Sequence, residues 1–467
     1  MHRFQLRLPT PFGWRFVTTL VLGVVVLGAW HPAHGVDAER RLRVGTFDVD
    51  ATPPLGSQLA YNLAERVDDP LSARGIVLVG SGEPIVLCAV DWIGIGNGGH
   101  DEWRERLAKA AGTSPQRVAV HVLHQHDAPD CDFSAEQLLA AHGLAGTMFN
   151  VAFARQTIDR VATAVAEAVQ TARPVTHLGV GTAKVEKVAS NRRILGPDGK
   201  VAIVRYSSSR DPAAIAAPEG VIDPVLKLVN FWDGETPIAS VTYYATHPQS
   251  YYRTGGISAD FVGLARGIRD KELPGPLHVH FNGASGNVAA GKYNDGSPAM
   301  RPILAERLAE GMRRAWEAVE RTPLSVDDVA WEVVPTALPP RDTLVASELE
   351  ATLADEAGDD GERDRAARDL AFLRRCQSGH RFDVTCLTLG DVKILHLPGE
   401  LFVEYQLAAQ RMRPEATVCM AAYGDYGPGY IGTEIAYSQG GYETSYVSRT
   451  APEVEAALTE AIAKLLD

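Results

Sequence analysis

Cysteine is scarce in this chain and its number is odd: five among 467 residues. That argues against a disulfide framework. Cys88 (PIVLCAV) and Cys419 (ATVCMAA) stand in apolar, strand-like runs, where a buried free thiol is expected. Cys376 and Cys386 are ten residues apart and are close enough in sequence to bridge, while Cys131 follows a histidine cluster. Long apolar runs are missing too. The stretch Phe16 to Trp30 runs fifteen residues without a charge, short of the ~20 that span a bilayer, and no later segment is longer and as apolar. Positive charge is in deficit, with 45 Lys and Arg against 58 Asp and Glu and a net charge of −13. Such a chain is a poor partner for phosphate backbones, so nucleic acid binding is not expected. Neither an internal repeat nor a clear linker is present, and 43 Gly with 28 Pro point to many turns instead of a helical bundle.

The opening differs from the rest. Arg3, Arg7 and Arg15 come with no acid among them, the apolar run follows, and Ala33-His34-Gly35 closes it with small residues. This three-part layout is that of a secretory signal over residues 1–35, with an uncleaved N-terminal anchor as the alternative. The expected location is therefore outside the cytoplasm. Removing that segment would take three positive charges and no negative ones, moving the net charge from −13 to about −16.

From residue 40 onward, strand and helix patterns alternate. Leu42 to Val49 alternates like a strand and runs into Thr-Pro-Pro-Leu-Gly. Ala73–Val79 and Pro84–Asp91 read as a hairpin, Asp101–Ala111 as a helix, and Arg117–Leu123 as a strand that ends at His124. Residues 135–172 look mostly helical. Strands are expected at 176–188, 201–206, 225–232, 237–245 and 277–281, with a long helix over 301–321. Residues 341–376 carry two charged helical stretches around Gly358-Asp359-Asp360-Gly361, a helical hairpin whose charges read as a solvated face. Paired strands at 382–389 and 392–397 precede a helix at 400–412, a strand at 417–422, a Gly/Tyr-rich loop from 423 to 446, and a last helix from Pro452 to Leu466. The fold class this implies is α/β or α+β, with mixed β-sheets flanked by helices in one large domain.

The chemistry-bearing residues lie at the ends of such elements. Leu123-His124-Gln125-His126-Asp127-Ala128-Pro129 sets two histidines at i and i+2 directly after a strand, so both imidazoles can converge on a metal ion. Zinc suits imidazole and carboxylate ligands where cysteines are not clustered. The related motif H-x-H-x-D-H is not met. Thr246-His247-Pro248 also follows a strand, and Pro398-Gly399-Glu400 puts a carboxylate at the expected start of a helix. Each has a plainer account when taken alone: solvated loop histidines, a satisfied core histidine, a carboxylate favoured by a helix dipole. Together they make a His-His-Glu set with an open position for water. Gly283-Ala284-Ser285-Gly286-Asn287 after the strand PLHVHF resembles a nucleophile elbow, but G-x-S-x-G needs Gly where Asn287 stands.

In this order the segments resemble the neutral (non-lysosomal) ceramidases and their bacterial relatives. His124-Gln125-His126 with Ala128-Pro129 is similar to the family's T-H-x-H-S-G-P element, and Asp50-Ala51-Thr52-Pro53-Pro54 to its opening D-I-T-P-P turn. Asp69-Pro70-Leu71 with Ala73-Arg74, Asn191-Arg192-Arg193, Ala245-Thr246-His247, Gly286-Asn287-Val288 and Pro398-Gly399-Glu400 follow in the family's sequence. The resemblance implies a Zn2+ site held by His124, His247, Glu400 and Tyr430, the last lying twelve residues before a second functional tyrosine, Tyr442. It also implies that His126, Arg192 and Tyr442 line the substrate side. The departures are Ala289, where the family has a serine after G-N-x, and Asp127-Ala128 in place of Ser-Gly. The family's C-terminal immunoglobulin-like domain is not expected here.

The function implied is hydrolysis of an amide, or similar acyl bond, in a small-molecule or lipid N-acyl substrate. Zinc-activated water would attack, His126 would carry protons, and Arg192 and Tyr442 would stabilise the oxyanion. Peripheral contact with a membrane is compatible with a lipid substrate. Two rivals are a serine hydrolase built on Ser285 and an inactive binding protein that keeps the metal for structure.

Overall fold

The chain is described here by a computed structural model covering residues 41–467, together with Gly13 ahead of them. The signal-like segment 1–35 lies outside the described residues but for that one glycine. The described residues from Arg41 to Asp467 belong to one compact unit. Among the described residues no helix is long and apolar enough to cross a membrane.

Three mixed sheets carry the fold. The first contains β1 (Arg43–Asp50), β2 (Ser72–Val79), β3 (Ile85–Val90), β4 (Val118–Val122) and the short β5 (Arg173–Pro174), in the order β4-β3-β2-β1-β5. The second contains β6 (His177–Lys184), β7 (Val225–Asp233), β8 (Thr236–Tyr244), β9 (Leu277–Asn282) and β10 (Glu320–Pro323), in the order β9-β8-β7-β6-β10. The third is β11 (Val329–Thr336), β12 (Phe382–Leu389), β13 (Val392–His396) and β14 (Thr417–Ala421), in sequence order. Most neighbours are antiparallel. Each sheet nevertheless ends in one parallel pair at an edge: β3 with β4, β8 with β9, and β13 with β14.

The apolar run of β3 shows why these strands form. All six of its residues are buried, and they alternate between two cores. Val86, Cys88 and Val90 face one hydrophobic cluster, while Ile85, Leu87 and Ala89 face the other. A strand covered on both faces needs a continuous apolar sequence, unlike the half-exposed alternation of a surface sheet.

Helices close the outer faces. They are α1 (Asn97–Ala111), α2 (Phe133–Ala141), α3 (Val151–Gln170), α4 (Asp260–Glu272), α5 (Met300–Glu317), α6 (Ala346–Ala354), α7 (Asp360–Gln377), α8 (Val403–Met412) and α9 (Val454–Leu466). Helix α3 lies on β1 and β2, α5 on β6 and β7, and α9 on β11 and β12. Their ends follow local chemistry: the Asn150 side chain accepts from the Phe153 N–H to start α3, and Gly112 in the left-handed region stops α1. The mixed α/β class expected from the sequence is the one observed.

The segment 135–172 is mostly helical as expected, in two helices, α2 and α3, with a break between them. Three other expectations need correction. Glu400 does not begin a helix; it sits in a two-residue bridge, Glu400–Leu401 paired parallel with Tyr430–Ile431, and α8 starts at Val403. The charges of the 341–376 segment are a solvated face only in part: Glu348, Glu350, Glu356 and Glu362 are exposed, but others are drawn inward. Helix α7 packs on α2, Arg363 and Asp369 are buried, Arg368 pairs with Asp130 and Asp364, and Arg375 reaches Asp101 and Asp425. The five cysteines are all free, so Cys376 and Cys386 do not bridge.

Candidate metal centre

The three parallel edge pairs bring their C-terminal ends together, because β9 touches β3 and β4 of the first sheet and β14 of the third. His124 follows β4, His247 follows β8, Ser285 follows β9, Glu400 follows β13, and Tyr423 follows β14. The crevice beyond the carboxyl ends of parallel strands is where α/β folds place ligands, since loops from several strands meet there.

His124 turns into this crevice through a backbone φ of +72°, a left-handed conformation uncommon for a residue with a Cβ. Tyr423, with φ +61°, stacks on it at 4.9 Å between ring centroids. Two non-glycine residues held in that region on facing loops mark stored strain at a functional position. His124 Nδ1 lies 2.6 Å from the Ile93 carbonyl, which makes Nδ1 the protonated nitrogen and leaves the Nε2 lone pair free. His247 is fully buried, with Nδ1 3.4 Å from both the Ser285 carbonyl and the Tyr423 hydroxyl. His126 differs, for its Nδ1 lies 3.0 Å from the Tyr61 hydroxyl, a group that can donate or accept.

Glu400 completes the cluster. Its Oε1 accepts from the Tyr426 hydroxyl at 2.7 Å, while Oε2 lies 3.3 Å from His124 Nε2 and 3.7 Å from His247 Nε2. The Gly-rich turn after β9 backs it closely: a Cβ on Gly286 would stand 2.3 Å from the Glu400 carbonyl oxygen. The ligand atoms of His124, His126 and His247 lie within 4.8 Å of one another.

The fit to a cation rests on what these atoms lack. His126 Nε2, His247 Nε2 and Glu400 Oε2 are buried and have no hydrogen-bond partner, and a buried polar atom without a partner is costly. Two ligands about 2.0–2.1 Å from one tetrahedral ion stand about 3.3–3.4 Å apart, close to the His124–Glu400 separation. Burial, with His124 and then Arg192 beside them, pushes the His126 and His247 imidazoles well below their ordinary value. Both are thus neutral near pH 7, the form that binds a metal.

Of the remaining expected residues, Tyr430 and Tyr442 line a cavity of about 240 Å³ together with His124, His126 and Glu400. Tyr430 accepts from Arg192 Nη1 at 3.0 Å and lies parallel to the His247 ring at 6.3 Å. Arg192 is also paired with Glu443 at 3.0 Å; burial alone would weaken its charge, but Tyr430 and Glu443 outweigh that and hold its pKa above the ordinary value. Tyr442 stands edge-on to Tyr430, and burial raises its phenol pKa, so it is protonated and able to donate. Ala289 is buried in a bridge with Ser190, whose hydroxyl donates to the Ala289 carbonyl at 2.8 Å. Asp127 is tied to Arg301 and to the Arg253 N–H. Ser285 is fully buried, its hydroxyl 2.8 Å from that of Tyr423, which does not suit a nucleophile that must meet substrate.

Sequence reading missed Tyr423 and Tyr426, which touch His247 and Glu400, and Tyr61, which holds His126. The crowding of tyrosines in 423–446 could have pointed to the first two; nothing near Tyr61 points to the third. It also missed that α7 forms a wall of the cavity through Asp364, Arg365 and Arg368.

Comparison with solved structures now decides the architecture. The chain superposes on neutral ceramidase from Pseudomonas aeruginosa with a TM-score of 0.66 and 17% identity, covering 91% of this chain and 74% of that one. The fold is ceramidase-like. A ceramidase structure described as complexed with C2 gives a TM-score of 0.66 and 16% identity, over 91% and 75% of the two chains. No protein-family model matches the chain, and no curated protein does so. The ceramidase-like fold supports the sequence resemblance, and its crevice is the one in which the histidines, Glu400 and the tyrosines meet.

Proposed function

We propose that the protein is an exported zinc-dependent hydrolase that cleaves an N-acyl amide by adding water across the carbonyl–nitrogen bond, leaving a carboxylate and an amine. The observation that carries the reading is the convergence of unpartnered His126 Nε2, His247 Nε2 and Glu400 Oε2 on one crevice of a ceramidase-like fold.

The Nδ1 partners divide the labour among the histidines. Backbone carbonyls orient His124 and His247 as ligands through Nε2, as outer partners do for metal-bound imidazoles. They would hold the ion with Glu400, and with Tyr430, whose phenol already lies against a guanidinium. A zinc ion bound there supplies Lewis-acid polarisation of the carbonyl and lowers the pKa of water to about 7. His126, bonded instead to a tyrosine hydroxyl, is free to exchange its proton. It takes one from the attacking water and returns one to the leaving amine, with Tyr61, 40% exposed, connecting it to solvent. Arg192 and the protonated Tyr442 stabilise the developing oxyanion.

The test is metal analysis of the purified protein beside His247→Ala. About one zinc per chain, absent from the variant, is the expected result; a wild-type protein that takes up no metal when supplied with it would sink the mechanism. Turnover of N-acyl amides separates an enzyme from a binding protein that uses the ion for structure.

A further inference from the structure

Arg365, Arg368 and Arg449 line the cavity, and Arg253 lies on its lining residue Tyr61; these four divide into two kinds. Arg368 is neutralised by Asp130 and Asp364, and Arg449 is bonded to Asp369 at 2.6 Å. Arg253 and Arg365 have neither an ion pair nor a side-chain hydrogen bond among the described residues. Each lies on a rim tyrosine instead. The Arg253 guanidinium is 4.6 Å from the Tyr61 ring centroid and 5.1 Å from that of Tyr252, and Arg365 is 4.6 Å from that of Tyr446. Both side chains belong to exposed residues. Each is linked to the centre by a row of rings: Tyr61 stacks on His126, while Tyr446 meets Tyr442, which meets Tyr430.

We infer that the amide hydrolysed here carries an anionic group, a carboxylate or a phosphate, and that Arg253 and Arg365 recognise it. This rests on the proposed use of the cavity as the substrate site. Stacking on tyrosine pre-orders each guanidinium without consuming its donors, so all five N–H groups stay available for an incoming anion. In a chain of net charge −13, two exposed arginines without an acidic partner leave a local positive patch that draws an anion towards the mouth of the cavity. The one carboxylate in the adjoining wall, Asp364, is already paired with Arg368 and not with its neighbour Arg365. A small cavity of about 240 Å³ with a charged, tyrosine-rich mouth suits a compact polar head. Arg253, one ring away from His126, is placed to meet a charge closer to the scissile bond than Arg365 is.

The experiment measures affinity with analogues that cannot be hydrolysed, on the metal-loaded protein. The probes are N-(hexylsulfonyl)glycine, its methyl ester, and the phosphate monoester of N-(hexylsulfonyl)ethanolamine, titrated calorimetrically. At least one anionic probe should bind roughly tenfold or more tightly than the ester, a difference that shrinks as salt is raised. In the double variant Arg253→Gln/Arg365→Gln, with metal content and melting temperature checked, the preference should disappear. Tighter binding of the glycine probe alone would identify a carboxylate, and of the other alone a phosphate. Equal binding of ester and anions, no binding of any probe, or a preference that survives in the double variant would overturn the inference. Hydrolysis of N-hexanoylglycine is assayed separately. Anion-selective binding without turnover would remove the hydrolase reading while leaving the recognition in place.

Discussion

At the scale of the residue, the decisive feature is which partner each side-chain atom has. The Tyr426 ring packs on that of His124 at 5.4 Å, and its hydroxyl donates to Glu400 Oε1, so the hydroxyl's role is to aim the carboxylate. Tyr426→Phe keeps the ring and removes that hydrogen bond. Metal affinity should weaken by about tenfold or more in a chelator competition, with little change in fold; unchanged affinity would show that Glu400 is held by its backbone bridge alone. Residue identity was readable for His124, His247 and Glu400, because each stands just past an apolar strand run. The hydroxyls of Tyr61 and Tyr426 were not readable, since hydrogen bonds between residues 65 and 26 positions apart leave no local pattern.

At the scale of the element, two short segments govern the site and its surroundings. The turn after β9 packs so closely on Glu400 that Gly286→Ala would push its Cβ into a backbone carbonyl. Backbone cannot swing aside as a long side chain can, so the variant should lose about 1–3 kcal/mol of stability and bind metal more weakly, as denaturant titration and metal analysis would show. Asp132 caps α2 by accepting from Ser134 and Ala135. Burial pushes its pKa up to about 6, only partly offset by Asn97 and the cap N–H groups. The folded chain therefore holds this proton more tightly than the unfolded chain does. Between about pH 4 and 6 the unfolded state binds fewer protons, and this group's contribution makes stability fall as pH rises. Asp132→Asn keeps the cap acceptor and removes the ionisation; the Asn97 amide, whose Nδ2 donates to Asp132 Oδ2, turns over in the variant so that its unpartnered Oδ1 receives the new N–H. The melting temperature of the variant relative to wild type should rise from pH 4 to pH 7, and a constant difference would contradict it.

At the scale of the whole molecule, the candidate site ties three sheets to one another at their parallel edges. A ligand that binds the folded state but not the unfolded one raises stability by mass action. Stripping the metal with a chelator should lower the melting temperature, and returning zinc should restore it, whereas a reductant should change nothing because all five thiols are free. A shift with reductant would mean that Cys376 or another thiol pairs in solution.

What composition and pattern settled was the class of the fold and where its strands end. Period and apolar run length are local: β3 is an uninterrupted apolar stretch, β8 and β13 are mostly apolar, and polar or turn residues follow each. The helical hairpin of 341–376 was legible as helix for the same reason. Its charges were not, since Arg363, Arg368 and Arg375 look like any solvated arginine until α7 is packed on α2. Tertiary structure alone decided that Glu400 sits in a bridge with Tyr430, that His126 Nε2 points at the same space as His247 Nε2, and that Arg253 and Arg365 lie on tyrosines lining one cavity. Those facts depend on the directions of side chains brought together from opposite ends of the chain, and directions are set by packing, which no window of sequence contains.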